Sequence, residues 1–113
     1  MQWTTICSKD DLVKNAGVCA KYGDQQVALF LCSDGQGEEV YAIDNWDPVG
    51  QANVLSRGLI GTVNDTLVVA SPLYKQHICL KTGACLENVN SNVNAYSARI
   101  EGNHIQISSS APA

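Results

Sequence analysis

Near its end the chain alternates Ile105 and Ile107 with Gln106 and Ser108, the period of two of a strand with one face buried and the other wet. From Val18 onward, short runs rich in Val, Ile, Leu and Tyr recur between clusters of Gly, Asn, Asp and Ser. This is the rhythm of an all-β sandwich or small barrel of antiparallel strands. Strands are expected over residues 3–7, 17–22, 26–32, 39–44, 59–63, 66–71, 77–80, 98–100 and 104–107. Tyr22-Gly23-Asp24-Gln25, Val63-Asn64-Asp65-Thr66 and Ile100-Glu101-Gly102-Asn103 supply hairpin turns, because their central residues tolerate positive φ or bond their own backbone. At most one short helix is expected, its candidate lying over residues 8–15, with Ser8 as its cap, Asp10 and Asp11 at its positive end and Gly17 ending it. Residues 34–37 read as a loose loop. Residues 45–58, with Pro48 and Gly50 and no sustained period, form a connection that is long by loop standards.

At 113 residues the chain has the length for one hydrophobic core. A single domain is expected over residues 1–107, followed by a flexible Ser, Ala and Pro tail over 108–113 that cannot offset its ordering entropy. Hydrophobic residues make up 45% and charged ones 16%, as in a folded protein and unlike a charge-swollen disordered chain. The formal net charge of −4 repels phosphate backbones and anionic membranes, so neither nucleic acid nor membrane is expected as a partner. The first ten residues lack a basic segment followed by an apolar one, and no run approaches the roughly 18 to 20 apolar residues that span a bilayer. The expected location is the cytoplasm.

The five cysteines, Cys7, Cys19, Cys32, Cys79 and Cys85, cannot all pair within one chain, and no export signal supplies an oxidising compartment. They are read as thiols, four of them in apolar strand-like stretches where Cys acts as a small core residue. His77, Cys79 and Cys85 have donor types that suit zinc. However, Cys85 lies past a turn, and the only other histidine is His104. Oxidation of Cys79 and Cys85 to a disulfide across a hairpin is opposed by a reducing cytosol, and no local motif supports catalysis by a Cys–His pair. Structural thiols are the expectation.

Two segments carry a resemblance. Tyr41-Ala42-Ile43-Asp44-Asn45-Trp46-Asp47-Pro48-Val49 and, further on, Ala70-Ser71-Pro72-Leu73-Tyr74 leading to Leu80-Lys81-Thr82-Gly83 resemble the Rieske domain, from about Val18 to Ile107. In that family a Cys-x-His loop and a Cys-Pro-x-His loop hold a two-iron cluster by two thiolates and two imidazoles. Carried over, the four ligand positions fall on Asp47, Val49, Ser71 and Tyr74, none of them Cys or His. The resemblance therefore implies a Rieske-like β sandwich without its cluster. The start at Trp3 to Ile6, the stretch Val54-Leu55-Ser56-Arg57-Gly58-Leu59-Ile60, the Ala70 to Leu73 block and Lys75-Gln76 are similar to one branch: the small subunits of cytoplasmic NAD(P)H-dependent nitrite reductases. That resemblance implies an accessory, non-catalytic chain with no cofactor. It also implies a large partner subunit carrying FAD, an iron–sulfur cluster and sirohaem, which reduces nitrite to ammonium in nitrate assimilation.

No catalytic, cofactor-binding or metal residue is expected on this chain. Trp46, Asp47, Pro48, Leu73, Tyr74 and Lys75 fall on the two loops that cover the cluster in the relatives, and they are the candidate partner interface. The opposing expectation is that the apolar ones fold inward to fill the cluster's volume, leaving Asp47 and Lys75 as solvated loop charges. Arg57 is expected either to anchor the long loop through carbonyls or a carboxylate, or to touch a partner. Two rival functions stand beside the subunit reading: a stand-alone cluster-free binding or scaffold module, and a small thiol or metal redox protein.

Overall fold

The structure is a computed structural model and describes residues 2–33 and 37–108. Its strands in chain order are β1 (Thr4–Ser8), β2 (Gly17–Tyr22), β3 (Gln25–Ser33), β4 (Glu38–Asp44), β5 (Trp46–Asp47), β6 (Ala52–Asn53), β7 (Leu59–Val63), β8 (Thr66–Ala70), β9 (His77–Cys79), β10 (Ala95–Glu101) and β11 (His104–Ser108). Six of them form one sheet in the order β1-β11-β10-β4-β3-β2, and its two edge strands approach each other so that the sheet nearly closes. β7, β8 and β9 make a second, antiparallel sheet, and β5 pairs only with β6. This is the expected all-β, barrel-like architecture.

β3 joins the layers. Alternate residues along Val27 to Leu31 enter different cores, which is why this run is apolar on both faces. Ala28 and Phe30 pack with Ile43, Leu55, Val69, Ile78, Leu80 and Cys85 between the two sheets. Val27 and Leu29 pack with Val40, Ala42, Ile105 and Ile107 inside the curled sheet. Leu55 in the first core pins the long 45–58 connection to the body, and Val69 and Ile78 do the same for the β8–β9 arm that ends in the second loop.

Local pattern located nine strands, and tertiary pairing moved their ends. β10 begins three residues earlier than expected because Ala95 and Tyr96 pair with Ile43 and Ala42 of β4, before Ser97 to Glu101 turn to β11. The third hairpin turns one residue later than expected, at Gly102-Asn103. The Asn64-Asp65 turn has positive φ at both positions, 50° and 65°, as a two-residue hairpin requires.

The candidate helix over residues 8–15 does not form, in keeping with the expectation of at most one. Ser8 Oγ accepts from Asp10 N at 3.3 Å and Asp11 Oδ2 from Ser8 N at 3.0 Å, but only a 3₁₀ turn, Lys9–Asp11, follows. Asn15 N then donates to Leu31 O at 2.6 Å and Asn15 Oδ1 accepts from Ser33 N at 3.0 Å. Pairing with β3 takes the backbone groups that a second helical turn needs. Ser108 is buried and paired in β11 opposite Ser97, and so is not tail. Residues 109–113 of the expected tail and 34–36 of the expected loop lie outside the described residues.

Candidate functional site

The two loops of the resemblance meet through Asp47, Ser71 and Gln76. In the first, β5 and β6 form a two-pair ribbon, and Gln51, at φ +54°, lets its N–H return to Asp47 O at 2.7 Å. In the second, Lys75 at φ +62° closes a turn in which Lys75 N donates to Ser71 O at 3.0 Å and Ser71 N to Gln76 O at 2.9 Å. The loops are in tight contact, since a Cβ on Gly50 would sit 2.3 Å from Leu73 Cδ1.

Asp47, fully buried, ties the loops together. Its Oδ1 accepts from Val49 N at 2.9 Å, Gly50 N at 3.1 Å and Gln76 Nε2 at 2.6 Å, and its Oδ2 accepts the hydroxyl of Ser71. Ser71, also fully buried, in turn accepts from Leu73 N at 3.3 Å. Burial pushes the Asp47 carboxyl upward. The donors from Ser71, Gly50, Val49 and Gln76 outweigh it and hold the group below the usual carboxylate range. Gln76 Oε1 is buried with no partner among the described residues, a local cost that the bond from Nε2 to a charged acceptor offsets.

The four residues onto which the resemblance carries the ligands divide by chemistry. Asp47 and Ser71, expected at the thiolate positions, bond each other directly across the loops. Val49 and Tyr74, expected at the imidazole positions, are 42% and 67% exposed. The expectation of Asp47 as a solvated charge or surface contact is corrected. Its carboxylate is enclosed because each oxygen finds internal donors, and its local sequence held no sign of this. Trp46 at 45% exposure, Leu73 at 46% and Tyr74 face outward and do not fill the interior. Pro48 is half-buried beside them and Lys75 is exposed.

A second buried polar residue, Asn45, which no sequence pattern marks as functional, positions the long loop. Asn45 is 1% exposed; its Oδ1 accepts from Ser56 N at 2.7 Å, while Nδ2 donates to Asn53 O and Gln26 Oε1, each at 3.2 Å. Asn45 and buried Leu55 anchor this loop, and Arg57 does not: its side chain is exposed and makes no ion pair among the described residues. Asn45→Ala is expected to destabilise by about 1–3 kcal/mol through orphaned donors at Ser56 and acceptors at Asn53, read by urea unfolding. A mutant as stable as the parent would show that the loop holds without it.

His77, Cys79 and Cys85 are separated by register. Ile78 pairs with Cys85 across an antiparallel bridge, so Cys85 shares the face of Ile78 and its core, while His77 and Cys79 take the other face. His77 Nδ1 instead bonds Glu87 Oε2 at 2.6 Å. Burial pushes the Cys79 thiol up, but bonds from Thr82 and Lys81 prevail and leave it below the ordinary thiol value. All five cysteines are unpaired. Cys19, expected in a core, lies exposed on edge strand β2. No group of three or more His, Cys, Asp and Glu suited to a metal ion occurs among the described residues.

The family model for the Rieske-like [2Fe-2S] domain matches residues 2–108, and the chain belongs to that family. Within it the chain is a homologue of nitrite reductase small subunits: it is 43% identical to the "Nitrite reductase (NADH) small subunit" of Escherichia coli, over 94% of this chain and 96% of that one. The solution structure of the nitrite reductase [NAD(P)H] small subunit from Erwinia carotovora superposes with a TM-score of 0.78 at 46% identity, covering 98% of this chain and 83% of that one. The chain is also 39% identical, over 93% of its length, to a segment making up 11% of the "Nitrite reductase [NAD(P)H] large subunit" of Klebsiella oxytoca. The ferredoxin of carbazole 1,9a-dioxygenase from Nocardioides aromaticivorans shares the fold, with a TM-score of 0.75 at 24% identity and full coverage of both chains.

Proposed function

We propose that this chain is the cluster-free small subunit of a cytoplasmic NAD(P)H-dependent nitrite reductase of nitrate assimilation, a structural and docking component of that oxidoreductase. FAD, an iron–sulfur cluster and sirohaem belong to its large partner. The observation that carries the cluster-free part is the Asp47–Ser71 bond. A Rieske cluster needs two thiolates and two imidazoles, whereas here a carboxylate with four donors already on it, a hydroxyl, a valine and an exposed phenol stand at those positions. These residues do not fit the group. The hydrogen-bonded pair does the cluster's structural work of joining the two loops, and no electron transfer step is assigned to this chain.

The subunit part rests on the small-subunit relatives and on the large-subunit relative that contains a homologous segment, a natural arrangement for a domain that works against that partner. Purified aerobically and anaerobically, the chain is expected to be colourless, with iron far below one atom per chain. Co-expressed with the large subunit of its own enzyme, it is expected to co-purify with flavin and sirohaem absorbance. Brown protein holding two irons per chain would overturn the cluster-free reading, and failure to retain the large subunit would favour the stand-alone module.

A further inference from the structure

Beside the Asp47 loops lies an open groove of about 480 Å³ lined by residues including Arg57, Leu59, Ser71, Pro72, Lys75 and His77. It is basic on a chain whose net charge is −4. The other cations are differently placed. Lys9 and Lys14 pair with Glu38, Arg99 lies 4.3 Å from the Trp3 ring centroid, and Lys21 and Lys81 lie outside the groove. Arg57 and Lys75 make no ion pair among the described residues, and no described residue lining the groove is acidic. The nearby carboxylates are engaged: Asp47 lies behind Ser71 with both oxygens bonded, and Glu87 bonds His77.

The surroundings select a protein occupant over a free ion. Leu59, on the edge strand of the second sheet, is 80% exposed, and Leu73 and Tyr74 stand exposed on the adjoining loop. Apolar side chains beside unneutralised charge are the pattern of a protein interface with polar specificity. The backbone fixes where both side chains start: Arg57 ends a 3₁₀ turn anchored by buried Leu55, and Lys75 sits at the positive-φ corner of its loop.

We infer that this groove receives carboxylate side chains of an acidic segment on the large nitrite reductase subunit, with Arg57 and Lys75 as its two charge contacts and Leu59, Leu73 and Tyr74 as its apolar rim. The inference rests on the subunit reading and adds the site and chemistry of contact. Arg57 supplies a planar guanidinium fork suited to bidentate carboxylate binding, and Lys75 a mobile point charge.

The test measures affinity between the full chain and its own purified large subunit by interferometry at several salt concentrations. Arg57→Glu/Lys75→Glu is expected to weaken binding at least tenfold and to flatten the salt dependence. Lys21→Glu/Lys81→Glu, matched in net charge, is expected to leave both unchanged. Leu73→Ser/Tyr74→Ser is expected to weaken binding while keeping the salt dependence. Circular dichroism checks that these surface variants remain folded. Absent binding by the parent chain would remove the subunit reading itself. Binding lost in the Leu73/Tyr74 variant but unaltered by reversal at Arg57 and Lys75 would leave that reading standing and overturn the acidic-segment inference. So would equal weakening by both charge-reversed variants, which would reduce the effect to net charge.

Discussion

Asp47→Ala is expected to lower unfolding free energy by about 3–5 kcal/mol, a large fraction of the roughly 5–15 kcal/mol available to a small domain. The substitution removes the shared acceptor of Ser71 Oγ, Gln76 Nε2, Val49 N and Gly50 N. Each buried donor left unpaired costs about 1–3 kcal/mol, and the losses fall short of additive because neighbouring donors relax together. Asp47→Asn keeps an oxygen for the Oδ1 donors and offers Ser71 Oγ an N–H, so it is expected to recover more than half of the loss. Urea unfolding of the three proteins measures this; an Ala variant within about 0.5 kcal/mol of the parent would remove the loop-joining role.

The same network has a pH signature. The Asp47 carboxyl is held below its ordinary value, so its stabilisation is fully present above the unfolded value near 3.9 and is lost as pH falls through the lower folded value. The stability gap between the parent and Asp47→Asn is therefore expected to be constant from neutral pH down to about 5 and to shrink below about 4. A gap that stays constant through that acid range would show that the carboxylate charge contributes nothing.

Gly83→Ala is the second large effect, expected to cost about 3 kcal/mol or more. Gly83 has φ +81°, and a Cβ there would lie 2.1 Å from Val93 O. Gly83 O also accepts from Val93 N at 2.8 Å, which ties the turn after β9 to the segment entering β10. Relief of the clash thus requires moving backbone that is itself bonded. Gly102→Ala separates the two causes: Gly102 has φ +61° but nothing within 4 Å of the added Cβ, so strain alone should cost about 1 kcal/mol. Equal losses in the two variants, by thermal or urea unfolding, would show that conformation and not packing decides at Gly83.

Likeness to small subunits places the chain in its family. The hydrogen bonds explain how a Rieske-like tip keeps its shape without a thiolate–imidazole donor set: a buried carboxylate accepts bonds from both loops, which confines the tip to one arrangement and leaves its apolar residues exposed.

Strand positions were legible along the chain because alternation at 104–107 and the apolar run at 27–31 are local consequences of what each strand buries. The residue types of Asp47, Val49, Ser71 and Tyr74, none of them Cys or His, were legible too. Tertiary structure decided what those residues do instead. Asp47 and Ser71 are 24 positions apart and Asp47 and Gln76 are 29, and a lone loop carboxylate looks solvated until its donors are in place. The same holds for Asn45, whose partners lie on β3 and across its own loop, and for residues 8–15, where capping favours a helix but pairing with β3 prevails. The basic groove combines Arg57 from one loop with Lys75 from another, on a chain whose total charge has the opposite sign. Composition sums charges over the whole chain, whereas recognition depends on where folding puts them.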